Sequence, residues 1–379
     1  MFGGKLIIYR LLSQIPAYAL IVLILSSSAW AQEGPFPPAA EQEGSTAIHM
    51  DDERFAAWAT GWTNFVQGAH LDAGWTDVTR ALGPPTGDIG DVVSLGRGGQ
   101  LTLTFDAPIV NGPGFDFAVF GNSFNDHFLE LAYVEVSSDG ANFVRFPNTY
   151  LGTNEVPFWG AQMDPTLIDG LAGKYRVGYG MPFDLEELAG AEGLDIHDVR
   201  YVRLVDIIGD GTYVDSQGNI IYDPYPTEGS AGFDLEALGV IHEWTPLHAW
   251  RVEHFGEEAY AENAANEADW SGDGVPNLLA YALGLDPTNQ HQDPLFSVVR
   301  ENHAHDNGLA FEYTRRAGYT NIQATLTPSL SANTWTNGPL TLTQTVIEVD
   351  EDRERVRVRP EGPLTNEASL FFRLEVRDP

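Results

Sequence analysis

The chain has 379 residues with 54 acidic against 20 basic side chains, a formal charge of -34, and no cysteine. That length suits two domains, while the charge repels phosphate backbones and anionic lipid, so nucleic acid is excluded as a partner. Without cysteine there is no disulfide, no thiolate zinc site and no cysteine nucleophile. The acidity has two readings: solubility in a salty medium, where cations screen self-repulsion, and Ca²⁺ sites built from clustered carboxylates.

Residues 1–31 have the plan of a secretory signal. Lys5 and Arg10 form the positive n-region, Ala17–Leu25 the apolar core, and Ala29-Trp-Ala31 the small-x-small site, with cleavage expected after Ala31. The apolar run is shorter than the ~20 residues of a membrane-spanning helix. No later run matches it, so no membrane span is expected after cleavage. Residues 32–45, with Pro35, Pro37 and Pro38, predict a flexible leader. Asp51 to Ala59 predicts a short amphipathic helix through its acidic first turn and Phe55/Trp58/Ala59 spacing.

From residue 90 to 243 the period becomes two. Strands are expected over 100–105, 115–120, 131–137, 143–146, 199–206 and 232–241, with Ser138-Asp-Gly140 as a hairpin turn. Arg200 and Arg203 interrupt the apolar run of 199–206. Pro182-Phe-Asp-Leu-Glu-Glu-Leu188 predicts a helical turn capped by Asp184. Trp58, Trp62 and Trp75 are expected in the core. Short strands punctuated by Gly and Pro predict an antiparallel sandwich for residues 46–243.

Thr245 as N-cap, Pro246 at the first position and Gly256 past the end predict a helix, which opens a joint over 244–292. After it comes Asp269-Trp-Ser-Gly-Asp-Gly-Val-Pro-Asn277, running to Gly284-Leu-Asp-Pro287. The order of residues fits a calcium loop: Asp269, Ser271 and Asp273 at alternate positions, Gly274 at the sharp turn, the Val275 carbonyl, and the Asn277 side chain. Ala280 stands where a bidentate Glu is expected, so water, Asp286 or another domain's carboxylate must supply the missing oxygens. The competing reading is a metal-free Asx/Gly turn that caps the helix after Pro276. Residues 293–379 predict a second, smaller β domain, with strands at 309–313, 322–326, 345–349, 355–359 and 370–376 and an acidic turn at Asp350-Glu-Asp352.

Residues 249–287, with Ala-Asp-Trp-Ser-Gly-Asp-Gly and Tyr-Ala-Leu-Gly-Leu-Asp-Pro, resemble dockerin-like or thrombospondin-type-3-like calcium segments of large secreted bacterial proteins. The final β domain, with Phe311-Glu-Tyr-Thr-Arg315, Trp335 and Phe372-Arg-Leu374, looks like the module that follows such segments. Ala81-Leu-Gly-Pro, Val93-Ser-Leu-Gly, Asn111-Gly-Pro-Gly, Val134-Glu-Val-Ser-Ser-Asp-Gly140 and Gly232-Phe-Asp-Leu235 resemble a family of uncharacterised bacterial cell-surface proteins. That resemblance implies a jelly roll akin to galactose-binding or discoidin-like modules. It also implies a structural Ca²⁺ near where the first and last strands meet, with Asp116, Asp206 and Asp234 as ligands and Asp215 and Asp223 nearby on a long loop. The alternative for each is a turn or cap residue. Gly121 stands where relatives carry an acid.

Exposed aromatics decide ligand binding. Trp159 in Val156-Pro-Phe-Trp159, and Tyr213, Tyr222 and Tyr225 in the following Pro-rich loop, either stack on sugar rings or pack beneath their loops. No Gly-x-Ser-x-Gly elbow or His-Glu-x-x-His helix occurs, and His303-Ala-His305 with Asp306 is an isolated triplet. The expected function is a secreted or surface-displayed, calcium-stabilised, non-catalytic binding or adhesion protein. Its partner would be a glycan or another surface component. A secreted polysaccharide-degrading enzyme and a purely structural envelope protein are the alternatives. Oligomeric state is not legible.

Overall fold

A computed structural model describes residues 34–303, 306–328, 341–361 and 370–376. The signal segment, Trp335 and His305 lie outside the described residues. Among the described residues, no helix is long and apolar enough to cross a membrane.

The protein is mainly β, and its larger part is an antiparallel sandwich. One sheet contains β1 (Ile48–His49), β2 (Ala57–Trp58), β4 (Val93–Ser94), β6 (Phe117–Gly121), β9 (Tyr179–Phe183) and β11 (Asp234–Val240). The other contains β3 (Gly61–Val66), β5 (Gln100–Ile109), β7 (Ala132–Ser137), β8 (Val144–Arg145) and β10 (Val199–Asp206). Neighbours run β1-β9-β6-β11-β2 in the first sheet and β3-β5-β10-β7-β8 in the second, all antiparallel. From β5 onward the chain repeatedly changes sheet, so most sheet neighbours are distant in sequence.

Period-two alternation builds the core. Leu101, Leu103, Val134, Val136, Val202 and Leu204 face Phe117, Val119, Phe183, Leu235, Leu238 and Val240 across the sandwich. The intervening positions of the first sheet, Ala118, Phe120 and Ala237, are buried on its outer face under Phe55 and Trp58. Both faces of that sheet are therefore covered. This explains why every residue of β6 and β11 is buried, the acids Asp234 and Glu236 included.

Three expectations are corrected. The helix over 51–59 is replaced by a turn and β2. Ala56 N donates to Val240 O at 2.8 Å and Ala59 N to Leu238 O at 3.0 Å, so the edge of β11 captures the segment. The leader is ordered from residue 34: Gly34 N donates to Thr166 Oγ1 at 2.7 Å, and Ala39 and Ala40 are buried. Trp62 is 46% exposed rather than core. The turn at Asp184 forms as expected, its carboxylate accepting from Glu186 N at 2.9 Å.

Helix α1 (Pro246–Phe255) begins after Thr245, whose N donates to His248 Nδ1 at 3.1 Å, and ends at Gly256 with φ 57°. Helix α2 (Asn277–Leu283) ends at the left-handed Gly284. Strands β12 (Phe296–His303), β13 (Asp306–Arg316), β15 (Leu342–Val349) and β16 (Arg353–Pro360) form one sheet in the order β12-β13-β16-β15. Strands β14 (Ile322–Pro328) and β17 (Leu370–Val376) form a second. The helices are not a separate joint. Leu247, Trp250, Phe255 and Tyr281 share one core with Phe311, Tyr313, Val356 and Val358.

Candidate functional site

Among the described residues the most exposed aromatic side chain is Trp159, 86% exposed. It ends a row of rings. Phe158 and Trp159 meet edge to face with centroids 4.9 Å apart, Phe128 meets Phe158 at 5.6 Å, and Phe124 stacks on Phe128 at 4.9 Å. Local chemistry sets up this row. After β6 ends, Asn125 Oδ1 accepts from His127 N at 2.8 Å and Phe128 N at 2.9 Å, an Asx turn that brings residues 124 and 128 to one side. Arg176 Nη1 holds the loop through Asp126 at 3.1 Å. Val156 and Pro157 pair in parallel with Pro224 and Tyr225, and Phe158 N donates to Tyr225 O at 3.3 Å.

The row borders a cavity of about 180 Å³. Trp75, Ile89, Phe124, Phe128 and Phe158 form its apolar walls, and Asn122, Ser123, Glu130, Glu228, Ser230 and Asp234 supply its oxygen-bearing lining, Glu228 from an exposed position at the rim. Asp234 opens β11; Ser94 Oγ donates to its Oδ1 and Asn122 Nδ2 to its Oδ2, the latter at 2.9 Å. Glu130 is 8% exposed, and its carboxyl has no hydrogen-bond donor among the described residues.

Two more acids lie behind the cavity. Asp206 accepts from Gly98 N at 2.7 Å and Phe233 N at 2.6 Å, and Asp223 accepts from Leu131 N at 3.0 Å. Gly209 leaves room for Asp223: a Cβ there would lie 2.0 Å from its Oδ1. Burial raises all four carboxyl groups, and repulsion by neighbouring acids adds to it for Glu130, Asp206 and Asp223. Asp206 and Asp234 are each pushed up to about 7, and Glu130 and Asp223 stand well above their ordinary range. Glu130 feels burial first, then Asp234, Asp223 and Asp206.

The expected calcium ligands do not gather in one place. Asp116 takes Gly112 N at 2.7 Å and Leu185 N at 2.6 Å and faces His242 Nδ1 at 2.7 Å. It precedes β6 and lies by the far end of β11 from Asp234, where Ile241 N donates to Asp116 O at 2.7 Å. The length of β11 places these two acids roughly 20 Å apart. Asp215 is separate again, accepting from Tyr150 N at 2.9 Å.

In the acidic loop, Asp269 Oδ1 accepts from Gly272 N at 2.8 Å and Asp273 N at 3.2 Å, and Oδ2 from Gly274 N at 2.6 Å; Ser271 Oγ reaches Oδ1 only at 3.5 Å. Asp273 accepts from Val275 N at 2.8 Å and His291 N at 2.6 Å. Asn277 is 1% exposed, and its amide donates to Asn263 O at 2.9 Å and Ala265 O at 3.0 Å. Asp286 accepts from Thr288 N at 2.9 Å and Asn289 Nδ2 at 2.8 Å, in a turn of its own. Among the described residues, no three His, Asp or Glu side chains converge as a ready-made metal site.

Of the four aromatic candidates, Trp159 and Tyr225 are exposed and the other two are not, and no ring contact joins Trp159 to Tyr225 among the described residues. Tyr225 is 38% exposed, with the Arg97 guanidinium 5.1 Å from its ring centre. Tyr213 and Tyr222 pack on a core cluster under their loop, Tyr213 lying 6.1 Å from Tyr133. The sequence reading missed Phe124, Phe128 and Glu130. For the two rings a signal was present: two phenylalanines four apart between strong strands. The chain matches no protein-family model, and no curated protein matches it.

Proposed function

We propose that this is an exported, non-catalytic binding protein displayed at the cell surface, and that the ring row Phe124–Phe128–Phe158–Trp159 is a glycan platform. The exposure of Trp159 at the end of a continuous row of rings carries the reading. Aromatic faces suit the apolar faces of sugar rings, and an 86% exposed tryptophan loses little on being covered. The charge of -34 argues against polyanionic partners. Resemblance of residues 46–243 to bacterial surface proteins and the signal-like residues 1–31 support export. Calcium at Asp269–Asn277 would stiffen the helical segment rather than act as a sensor. The experiment is a glycan array probed with the purified chain in calcium, compared with Trp159→Ala. Binding that Trp159→Ala loses supports the platform; absence of binding to any glycan sinks it and favours a structural envelope role.

A second reading has one observation in its favour. Glu130 and Asp234 share an aromatic-walled cavity, as the paired acids of glycoside hydrolases do. Incubation with polysaccharides decides: release of reducing ends that Glu130→Gln abolishes would make the protein an enzyme.

A further inference from the structure

We propose that the floor of the aromatic cavity is a divalent-cation site, formed by the carboxylates of Glu130 and Asp234 with oxygens of Asn122, Ser123 and Ser230, and that Ca²⁺ is the ion it takes. The inference goes beyond the glycan reading and stands or falls without it.

Glu130 is the observation that points to a ligand. Each acid around it has donors: two backbone N–H groups for Asp206, one for Asp223, a hydroxyl and an amide for Asp234. Of the buried acids here Glu130 alone has none among the described residues, although it is 8% exposed and lines the cavity; Glu228, also in the lining, is solvent-exposed and faces Arg97 at 3.9 Å. A buried carboxyl without a donor carries a desolvation cost that its surroundings must offset. No basic side chain lines this cavity.

The neutral groups point the same way. Asn122 uses its amide nitrogen on Ile89 O and Asp234 Oδ2, both at 2.9 Å, which fixes the amide and leaves its oxygen without a donor among the described residues. The Ser123 and Ser230 hydroxyls, in the same lining, have no partner there either. Carboxylates with hydroxyl and amide oxygens are hard ligands, and water through the open mouth can complete the six to eight oxygens of Ca²⁺. Mg²⁺ needs a tighter octahedron, and neither His nor Cys lines the cavity for a softer metal. Two buried carboxylates with neutral oxygens, and Glu228 turned outward toward Arg97, are also compatible with the lack of a preformed trio of acids among the described residues. Asp206 and Asp223 behind the floor add negative potential without being ligands.

The acidic loop at Asp269 is a separate calcium candidate, so the test removes it first. The full chain carrying Asp273→Ala is stripped of metal and titrated with CaCl₂, MgCl₂ and tetramethylammonium chloride while thermal unfolding is followed. The expected result is a saturable rise in melting temperature with Ca²⁺, and a midpoint shifted by about tenfold or more when Glu130→Gln is added. Tb³⁺ gives a second readout, because Trp75 lines the cavity: emission excited through tryptophan should fall with Trp75→Phe and persist with Trp270→Phe. That arm decides the matter if Glu130→Gln does not fold. A Ca²⁺ response unchanged by Glu130→Gln overturns the proposal, as does no response in the Asp273→Ala chain, or stabilisation by tetramethylammonium alone.

Discussion

Arg203 stands directly opposite Glu135 in the register of β10 with β7, and its Nε donates to Glu135 Oε2 at 2.6 Å. Glu135 Oε1 accepts from Arg145 Nε at 2.9 Å, from the opposite neighbouring strand. One carboxylate thus ties three strands, and the arginine that interrupted an apolar run in the sequence is one of its two partners. The Arg203 guanidinium also covers the Phe143 ring at 3.8 Å, and that of Arg145 covers Tyr133 at 3.8 Å. Glu135→Ala leaves two cations facing each other and is expected to cost about 3 kcal/mol in urea unfolding. Arg145→Ala should cost about 1 kcal/mol, because its side chain is 42% exposed and Arg203 remains. Equal costs would mean that Glu135 is not the hub.

The aromatic row separates binding from stability. Trp159→Ala removes a ring that is 86% exposed, so its effect on the melting curve should stay within about 0.5 kcal/mol while glycan affinity falls by about tenfold or more. Tyr213→Ala should do the opposite. Its ring packs on Tyr133 under the loop, so stability should drop by about 2 kcal/mol with affinity retained once the chain is folded. If Tyr213→Ala abolishes binding in a folded protein, the platform has been assigned to the wrong rings.

Local pattern and tertiary context divide what could be read from the chain. The alternating Leu101/Leu103 and Val134/Val136 of β5 and β7 carry their own period, and Thr245-Pro246 with Gly256 carries its own caps, so those elements were legible. The segment 51–59 carries a helical pattern too, but the open edge of β11 offers Val240 O and Leu238 O to its amides, and the pairing wins. Glu130 was invisible for a different reason. Nothing local distinguishes it from a solvent-facing acid in an alternating run; its burial is tertiary, in a place where the fold brings Asp206, Asp223 and Asp234 near it. The resemblance to surface jelly rolls placed Asp116 with Asp206 and Asp234, yet β6 and β11 hold it at the opposite end.

At the acidic loop the structure splits two roles that the spacing had merged. Asn277 holds Asn263 O and Ala265 O from a buried position, so Asn277→Ala should lower stability by about 2 kcal/mol with or without calcium. Asp269→Asn keeps the turn's size but removes charge. If the loop holds Ca²⁺, this substitution should cancel the calcium-dependent rise in melting temperature of the helical and C-terminal region. Differential scanning calorimetry with CaCl₂ and with chelator separates the cases. An unchanged calcium response in Asp269→Asn would leave the loop as a metal-free Asx/Gly turn.

Lys174 offers a test of buried charge on its own. It is fully buried, and its Nζ has no hydrogen-bond partner among the described residues; the Tyr175 ring centre is 5.4 Å away. Burial lowers its pKa to about 8, against a weaker opposing pull from Asp169. An unfolded lysine titrates near ~10.4. Between these values the unfolded chain binds the proton that the folded chain has released, so this residue's contribution to stability improves as pH rises from about 8 to ~10.4 and is least favourable below that window. Lys174→Met keeps the length and removes the charge. It should be about 2 kcal/mol more stable than the parent at neutral pH, with the difference narrowing as the pH approaches ~10.4. Urea unfolding of both proteins at neutral and alkaline pH measures this directly. A methionine variant less stable than the parent at neutral pH would mean that the ammonium has a partner which burial alone does not reveal.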